Sequence, residues 1–202
     1  MTTAAPPAAP AQLAEYRREL RDLLAKYSVK HGTFTLTSGA TSDLYIDCRV
    51  VATMPRAMRA IGALMLHELR DVSDVRGVGG LAIGADPIAA AVAYSSLDPA
   101  LWHGPELPMF MVRKEPKGHG MGKQVEGAFP EEDGAPVVIV DDALTTGGSI
   151  LQAIQAVERE KKAKVVRAVL IVDRQEGGRE RLEGLGYQVR SIYTREDFPK
   201  PN

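Results

Sequence analysis

Over residues 77–193, short apolar segments alternate with segments of helical periodicity, and this alternation restricts the possible fold more than any other feature. Apolar strands that alternate with helices are typical of a parallel sheet with helices on both faces. The sequence therefore predicts an α/β fold with a mainly parallel, five-stranded sheet flanked by helices. Residues 114–130, rich in glycine and lysine, are predicted to form a long loop. Strands are predicted at 77–83, 108–113, 136–140, 165–172 and 187–193, and helices at 87–97, 148–161 and 178–185.

The residues before this alternation predict a small additional unit. Apolar residues at 11–27 recur at helical spacing, which indicates an amphipathic helix. Residues 33–47 are typical of two short strands around a Ser-Gly turn. A further helix is predicted to begin at Pro55, since proline suits a first helical position, and to end near Arg70.

The length of 202 residues fits one domain of moderate size. Residues 1–10 are rich in alanine and proline and lack the basic flank of a secretory signal, so we expect a disordered tail there. The rest of the chain, 11–202, is predicted to form a single domain. Its small N-terminal hood would combine about residues 11–50 with the C-terminal segment, and its core would span about 51–185.

Composition narrows the classes of function. A formal net charge of -1 gives no global reason to expect binding to nucleic acid or to a membrane. No uninterrupted apolar run approaches the roughly 20 residues that a membrane-spanning helix needs. The single cysteine, Cys48, excludes an intrachain disulfide and fits a reducing compartment. These features predict a cytoplasmic protein.

The segment VVIVDDALTTGGS, residues 137–149, carries the strongest functional information. Ligands of doubly wound sheets bind beyond the carboxyl ends of the strands, and Asp141 and Asp142 are predicted to lie at such an end, directly before a helix. The loop 145–149 would present hydroxyls and free backbone N–H groups at the N-terminus of that helix. Such groups bind phosphate, and glycines allow its close approach to the backbone.

Two carboxylates beside a phosphate site would normally repel an anionic ligand. They make chemical sense if they accept hydrogen bonds from hydroxyls, or if they hold a metal ion that the phosphates also bind. A sugar phosphate with vicinal hydroxyls meets both demands. The simpler alternative is a solvated Asp pair that caps the helix, which is common in α/β loops.

The same segment resembles the motif by which type I phosphoribosyltransferases bind 5-phospho-α-D-ribosyl 1-diphosphate (PRPP). In both, an apolar run is followed by two acids, two variable residues and a loop of threonine, glycine and serine. The motif indicates the cosubstrate but not the base that accepts the ribose. The resemblance implies the type I phosphoribosyltransferase fold and a PRPP site at Asp141, Asp142, Ala143, Leu144, Thr145, Thr146, Gly147, Gly148 and Ser149.

The segment RKEPKGHGMGKQVEG, residues 113–127, is too polar for a core. Charge runs of this kind are usually solvated loops, and the alternative is a mobile cationic lid over a pyrophosphate leaving group. The segment is similar to the catalytic loop of orotate phosphoribosyltransferases, Arg-Lys-x-x-Lys-x-His-Gly. The resemblance extends the PRPP site to Arg113, Lys114, Lys117 and His119.

The segment LIVDRQEGG, residues 170–178, ends another apolar strand in charged residues. A lone arginine after a strand usually forms a surface ion pair, but the guanidinium of Arg174 could instead hold a planar carboxylate through two parallel hydrogen bonds. The segment resembles the Asp-Arg-Gln-Glu motif of orotate phosphoribosyltransferases, in which the arginine holds orotate. The resemblance implies that Thr145 and Arg174 orient orotate, with Phe34 or Tyr45 beside the base.

Two further segments resemble this family but depart from it at one position each. Residues 34–49 resemble its N-terminal hood, although Thr37 stands where many members carry lysine before Ser-Gly. Residues 80–93 resemble its pyrophosphate loop, although Gly84-Ala85-Asp86 stands where several members place lysine. Contacts made by those lysines do not carry over to this chain.

On these motifs the chain is identified as a member of the orotate phosphoribosyltransferase family. The resemblance implies transfer of a phosphoribosyl group from PRPP to orotate in pyrimidine (UMP) synthesis, with Lys117, His119, Asp141 and Asp142 as catalytic residues. It also implies Mg²⁺ that is carried mainly by PRPP, without a metal site built from protein ligands, and a homodimer whose lid residues act across the interface. The alternatives are a purine or uracil phosphoribosyltransferase, and a regulator that binds PRPP without turnover.

Overall fold

The computed structural model describes residues 10–35, 41–116 and 123–200 of the chain. β1 and β2 form an antiparallel pair, and the other six strands form one sheet. No helix within these ranges is long and apolar enough to cross a membrane. In chain order, the elements are α1 (Pro10–Tyr27), β1 (Val29–Thr35), β2 (Thr41–Ile46), α2 (Arg49–Ala52), α3 (Pro55–His67), β3 (Gly77–Leu81), α4 (Asp86–Ser95), β4 (Met109–Val112), β5 (Val125–Gly127), β6 (Pro136–Leu144), α5 (Gly148–Lys161), β7 (Lys164–Asp173), α6 (Gly178–Gly184), β8 (Val189–Thr194) and a 3₁₀ helix (Arg195–Asp197).

The larger sheet has the strand order β5-β4-β3-β6-β7-β8. Five of its strands, β3, β4, β6, β7 and β8, pair in parallel, which confirms the predicted α/β fold and its mainly parallel sheet. β5 adds an antiparallel edge strand within 114–130, where the prediction of a loop was wrong. The sequence did not indicate β5 because this strand has only three residues and is fixed from outside. The Glu160 carboxylate of α5 accepts hydrogen bonds from the N–H groups of Gln124 and Val125, at 2.9 and 3.1 Å.

β6 runs through the middle of the sheet and is buried on both faces. Its side chains alternate between two apolar clusters: Val138 and Val140 pack into one, and Val137 and Ile139 into the other. Helices α3 and α4 contribute to the first cluster, and α5 and α6 to the second. A continuous apolar run is what a strand needs when helices cover both faces of its sheet. Because a one-residue slip would exchange the two faces, this burial fixes the register of everything that follows in β6.

β6 is longer than the sequence predicted. The apolar run suggests an end at Val140, but pairing with β7 continues as far as Leu144↔Asp173. Asp141 and Asp142 therefore lie within the last residues of the strand rather than after it. Acidic residues are poor strand formers, so the sequence did not indicate this extension. The hydrogen bonds to the neighbouring strand are what hold it.

The helix boundaries follow the predicted periodicity closely. α5 spans Gly148–Lys161, as predicted. α3 begins at Pro55, as predicted, but ends at His67 rather than near Arg70. There the Arg70 guanidinium donates a hydrogen bond to the His67 carbonyl at 2.7 Å, which helps to close the helix. The single-turn helix α2 was not predicted, because four residues carry too little periodicity to detect.

Helix α1 packs the apolar face that its sequence predicts, and Leu20 and Leu24 are fully buried. Two hydrogen bonds join this helix to the last strand, β8. The Arg17 guanidinium donates to the Ile192 carbonyl, and the Tyr193 hydroxyl donates to the Arg17 carbonyl. The N-terminal helix is thereby held against the C-terminal strand.

Candidate active site

Asp141 and Asp142 form a carboxylate pair at the carboxyl end of β6. Asp141 is only 6% exposed, and Asp142 is half-buried. The N–H of Asp142 donates to Oδ1 of Asp141 at 2.9 Å. The turn after β3 passes close to both: a Cβ built on Gly84 would lie 3.3 Å from Asp141 Oδ1 and 3.6 Å from Asp142 Oδ1. A side chain at position 84 would therefore crowd the carboxylates.

The negative charge of this pair is poorly stabilised. Burial, together with the charge of Asp142, raises the pKa of Asp141 to about 8. Burial also raises the pKa of Asp142, although the N–H of Ala143 and the charge of Arg49 lower it in part. Without a ligand, the pair therefore retains a proton near neutral pH. A ligand that donates hydrogen bonds or brings positive charge would favour the fully ionised form.

The loop between β6 and α5 forms a small cavity at the N-terminus of the helix. Gly147 has a φ of 77°, a left-handed conformation that suits glycine. Its packing is also close, because a Cβ there would lie 3.3 Å from the carbonyl oxygen of Gly178. Backbone N–H groups at a helix N-terminus suit a phosphate group. The cavity has a volume of about 140 Å³ and is lined by Asp141, Ala143, Leu144, Thr145, Thr146, Gly147, Gly148, Ser149 and Ile150.

A larger cavity of about 310 Å³ adjoins the first, and the two share Asp141, Ala143 and Ser149. Its other walls come from the end of β2 and from the turn after β3. Asp141 thus lies where the small cavity meets the larger one, and Asp142 lines the larger one only. The larger cavity is lined by Tyr45, Ile46, Asp47, Arg49, Leu81, Ala82, Ile83, Gly84, Asp141, Asp142, Ala143 and Ser149.

Arg174 follows β7, the strand next to β6, and its N–H donates to the last carbonyl of β6 at 2.9 Å. Its guanidinium is buried, donates to the Leu44 carbonyl at 3.2 Å and pairs with Glu176 at 2.8 Å. The hydrogen bond of its backbone N–H places Arg174 beside the end of β6, the strand that carries Asp142. Arg174 lines neither cavity, and its guanidinium is instead held beneath β2.

The two aromatic residues of the predicted base site are in contact with each other. The ring centroids of Phe34 and Tyr45 lie 5.5 Å apart, with the planes tilted by 37°. Tyr45 lines the larger cavity, whereas Phe34 does not. The structure therefore brings Tyr45 to the carboxylate pair and packs Phe34 against it. Thr37, the departure from the family's hood, lies outside the described residues.

The described part of the predicted lid lies outside both cavities. Arg113 and Lys114 follow β4, and both side chains are exposed. Arg113 pairs with Glu126 at 3.3 Å across the hairpin of β4 and β5. Lys117 and His119 lie outside the described residues. The structure thus brings together the residues of the 141–149 loop and Tyr45, but not Arg113 or Lys114.

Comparisons with known proteins identify the family of this chain. Residues 54–193 match the phosphoribosyl transferase domain family. An orotate phosphoribosyltransferase of Rhodopirellula baltica is 40% identical over 191 residues, which cover 90% of this chain and 94% of that protein. The chain belongs to the orotate phosphoribosyltransferase family.

Solved structures of this family have the same fold. Mycobacterium tuberculosis orotate phosphoribosyltransferase in complex with Fe(III) dicitrate is 38% identical, with a TM-score of 0.76 over 92% of this chain and 99% of that chain. Its complex with PRPP is 34% identical, with a TM-score of 0.72 over 91% and 98% of the two chains. The type I phosphoribosyltransferase fold is confirmed.

Two residues that line the larger cavity of this family member were not predicted as site residues, namely Asp47 and Arg49. They form a bidentate ion pair, with Arg49 Nε to Asp47 Oδ1 and Arg49 Nη2 to Asp47 Oδ2 both at 2.9 Å. The sequence did contain a hint, because the predicted hood strands end at the acidic residue Asp47 and the basic residue Arg49 lies two positions later. Local pairing is the commoner explanation of such spacing, and only the structure places the pair in the cavity.

In this family member, Asp141→Asn is expected to stabilise the ligand-free protein increasingly as the pH rises. The pKa of Asp141 is higher in the folded protein than in the unfolded chain. The contribution of the Asp141 carboxyl group to stability is therefore fully present below about pH 4 and is lost as the pH rises through about 8. Asparagine keeps an acceptor for the Asp142 N–H but cannot ionise. Urea unfolding should show a gain of about 1–3 kcal/mol at pH 8 and little change at pH 4.

Asp71→Asn is the matched control, and its expected effect on stability at pH 8 has the opposite sign. The hydrogen bonds from Arg167 lower the pKa of Asp71 to about 2, so its contribution is present above its unfolded pKa and is lost as the pH falls. Asp71→Asn should therefore destabilise the protein at pH 8. A gain from Asp141→Asn that is equal at both pH values would contradict the raised pKa.

Proposed function

We propose that the chain transfers the phosphoribosyl group of PRPP to orotate, which yields orotidine 5′-phosphate and pyrophosphate. The observation that carries this proposal is the junction of two cavities at Asp141, with Asp142 beside it in the wall of the larger cavity. PRPP has a phosphate at one end of its ribose and a diphosphate at the other, so it suits such a pair of cavities. Further support comes from the relatives, which are orotate phosphoribosyltransferases, and from the related structure that holds PRPP.

In this proposal the 5′-phosphate of PRPP lies in the smaller cavity. Thr145, Thr146 and Ser149 offer hydroxyls there, and the backbone at Gly147 and Gly148 offers N–H groups at the start of α5. Ala143 and Leu144 complete the wall that joins this cavity to β6. The ribose then lies over the carboxylate pair, because Asp141 lines both cavities and Asp142 lines the larger one beside it.

The ribose hydroxyls would donate hydrogen bonds to Asp141 and Asp142. Such bonds favour the ionised form of a carboxylate. Displacement at the anomeric carbon breaks its bond to the pyrophosphate oxygen and forms a bond to a ring nitrogen of orotate, whose proton passes to the pyrophosphate or to solvent. Positive charge grows on the ribose during this step, and the ionised carboxylates stabilise it. Negative charge grows on the leaving pyrophosphate. We assign its stabilisation to the lid residues Arg113, Lys114, Lys117 and His119.

Orotate carries a carboxylate, and we assign its recognition to Arg174. A guanidinium has five N–H donors, so contacts with Leu44 and Glu176 leave donors for an incoming carboxylate. Thr145 would orient the base from the loop, with Phe34 and Tyr45 beside its ring. Adenine, guanine and hypoxanthine have no carboxylate, so the same arginine would favour orotate over purines.

Mg²⁺ is the proposed cofactor, carried mainly by PRPP. Among the described residues, no group of three or more His, Cys, Asp and Glu side chains is placed to hold an ion. Asp141 and Asp142 fit an ion that arrives with PRPP, because Mg²⁺ prefers oxygen ligands and keeps several waters, which carboxylates can bind. When bound, the ion would neutralise part of the charge on the pyrophosphate.

We further propose a homodimer in which the lid of one subunit acts in the site of the other. In support, Arg113 and Lys114 are exposed and line neither cavity of their own chain. Lys117 and His119 follow them closely in the sequence, so we propose that these two residues also act in the site of the other subunit.

The proposal also covers the organisation of the chain and its location. Residues 11–202 are proposed to form one domain, with a hood of about 11–50 and a core of about 51–185. The hydrogen bonds between α1 and β8 support this organisation. A cytoplasmic location is supported by Cys48, which is a free, buried thiol.

An absorbance assay of orotate loss with PRPP and Mg²⁺ tests the proposed reaction. Orotate should be consumed, whereas uracil, xanthine and adenine should not. Arg174→Gln should raise the KM for orotate about ten- to a hundredfold and leave the KM for PRPP within about twofold, because the guanidinium is assigned to the carboxylate of orotate alone. Arg190→Gln, which changes an exposed arginine on β8, is the control. Turnover of a purine with orotate untouched would overturn the assignment.

Subunit exchange tests the shared site. Homodimers of Asp142→Asn and of Lys117→Ala should each be nearly inactive. In a mixed dimer, one of the two sites receives Asp142 from one subunit and Lys117 from the other, so it is intact. Equal mixing should therefore restore about a quarter of the wild-type activity. If the two residues act within one subunit, no site is intact and mixing restores nothing.

A further inference from the structure

The larger cavity is acidic where an anionic ligand is proposed to lie. Asp47, Asp141 and Asp142 line it, and among the described residues of its walls Arg49 alone has a positively charged side chain. The adjacent turn, residues 81–86, contains no lysine or arginine. A diphosphate beside three carboxylates is repelled unless a cation offsets their charge. Arg49 therefore occupies the position where such a cation is needed.

Asp47 holds Arg49 in a defined orientation. The bidentate pair occupies Nε and one hydrogen of Nη2, and the N–H of Arg49 also donates to Asp47 Oδ1 at 3.2 Å. Asp47 is itself fixed, because its N–H donates to the Ser28 carbonyl at 3.1 Å. Nη1 of Arg49 donates to no residue in the described part of the chain, and the side chain is 61% exposed. The guanidinium thus keeps one edge free for a ligand.

Arg49 and the carboxylate pair belong to the same site. The charge of Arg49 lowers the pKa of Asp142, although burial raises it by more. Arg49 lines the larger cavity but not the smaller one at the start of α5. The guanidinium is therefore placed on the side of the site that the 5′-phosphate does not use.

We propose that Arg49 binds the diphosphate group of PRPP and the pyrophosphate product. This inference rests on the proposed function, since it assigns a residue to one group of the proposed substrate. Guanidinium groups bind phosphate oxygens through parallel N–H donors, and such charge-assisted hydrogen bonds are among the stronger ones in proteins. In this chain, where the turn after β3 offers only backbone donors, Arg49 supplies the fixed positive charge.

A structural ion pair is the alternative, in which Asp47 and Arg49 only join the end of β2 to α2. The two roles differ in the ligands that they affect. A binding role concerns PRPP and pyrophosphate but not orotidine 5′-phosphate, which lacks a diphosphate. A structural role changes the affinities for all three ligands together, or changes none.

Arg49→Gln tests the proposal, with Arg76→Gln as the matched control. Arg76 also pairs with an aspartate two residues earlier, Asp74, at 2.8 Å, but it precedes β3 at the opposite end of the sheet. Calorimetric titration with pyrophosphate and Mg²⁺ should show about a ten- to hundredfold loss of affinity in Arg49→Gln, and the KM for PRPP should rise by a similar factor. Affinity for orotidine 5′-phosphate should stay within about twofold, and Arg76→Gln should match the wild type.

Arg49→Lys keeps the charge and should retain part of the affinity for pyrophosphate, and urea unfolding verifies that each variant is folded. Wild-type affinity for pyrophosphate in Arg49→Gln, in a protein that turns over orotate, would overturn the inference and leave the proposed function intact. An equal loss for pyrophosphate and orotidine 5′-phosphate would also overturn it, in favour of the structural role. If the wild-type protein neither converts orotate nor binds pyrophosphate, the proposed function itself fails.

Discussion

Burial places two carboxylates, Asp141 and Asp142, side by side at the carboxyl end of β6, where their charge is poorly offset. Such an arrangement contributes nothing favourable to folding, because desolvation and mutual repulsion both oppose ionisation. It becomes favourable only when a ligand donates hydrogen bonds or brings a cation. The pair therefore constrains what the site can bind: a polyol or a cation, held next to an anion-binding loop. A ribose phosphate carried with Mg²⁺ satisfies these conditions together.

The strand order of the larger sheet places the other groups of the site at the same edge as the carboxylate pair. Because β3, β6 and β7 are parallel neighbours, their carboxyl ends lie at one edge of the sheet, where the turn at Gly84 follows β3, the carboxylate pair lies in the last residues of β6, and Arg174 follows β7. β2 adds Tyr45 and α2 adds Arg49 to the larger cavity, which the pair also lines. Positive charge thus reaches the site from elements other than β6. In the proposed reaction, this separation lets the carboxylates act on the sugar while the cations act on its phosphates.

The sequence predicted the parts of this arrangement that depend on local pattern. The bounds of α5 followed from its apolar periodicity, and the loop at the start of this helix followed from residues 145–149. Features that depend on distant residues were missed. β5 needs the Glu160 carboxylate of α5, and the end of β6 needs its pairing with β7. In the same way, the partners of Arg174 and the exposure of Arg49 to the cavity depend on how the hood lies on the core.

The most direct test of the central claim is the number of protons released when PRPP binds with Mg²⁺ at pH 7, measured by calorimetry in buffers of different ionisation enthalpy. The free pair retains a proton at this pH, and a ligand that donates hydrogen bonds to it should expel that proton. PRPP phosphates and other groups also titrate, so the comparison with Asp141→Asn isolates the contribution of the pair. The account predicts a clearly larger proton release in the wild type than in this variant. Equal release in the two proteins would show that the carboxylates do not ionise on binding, and would contradict it.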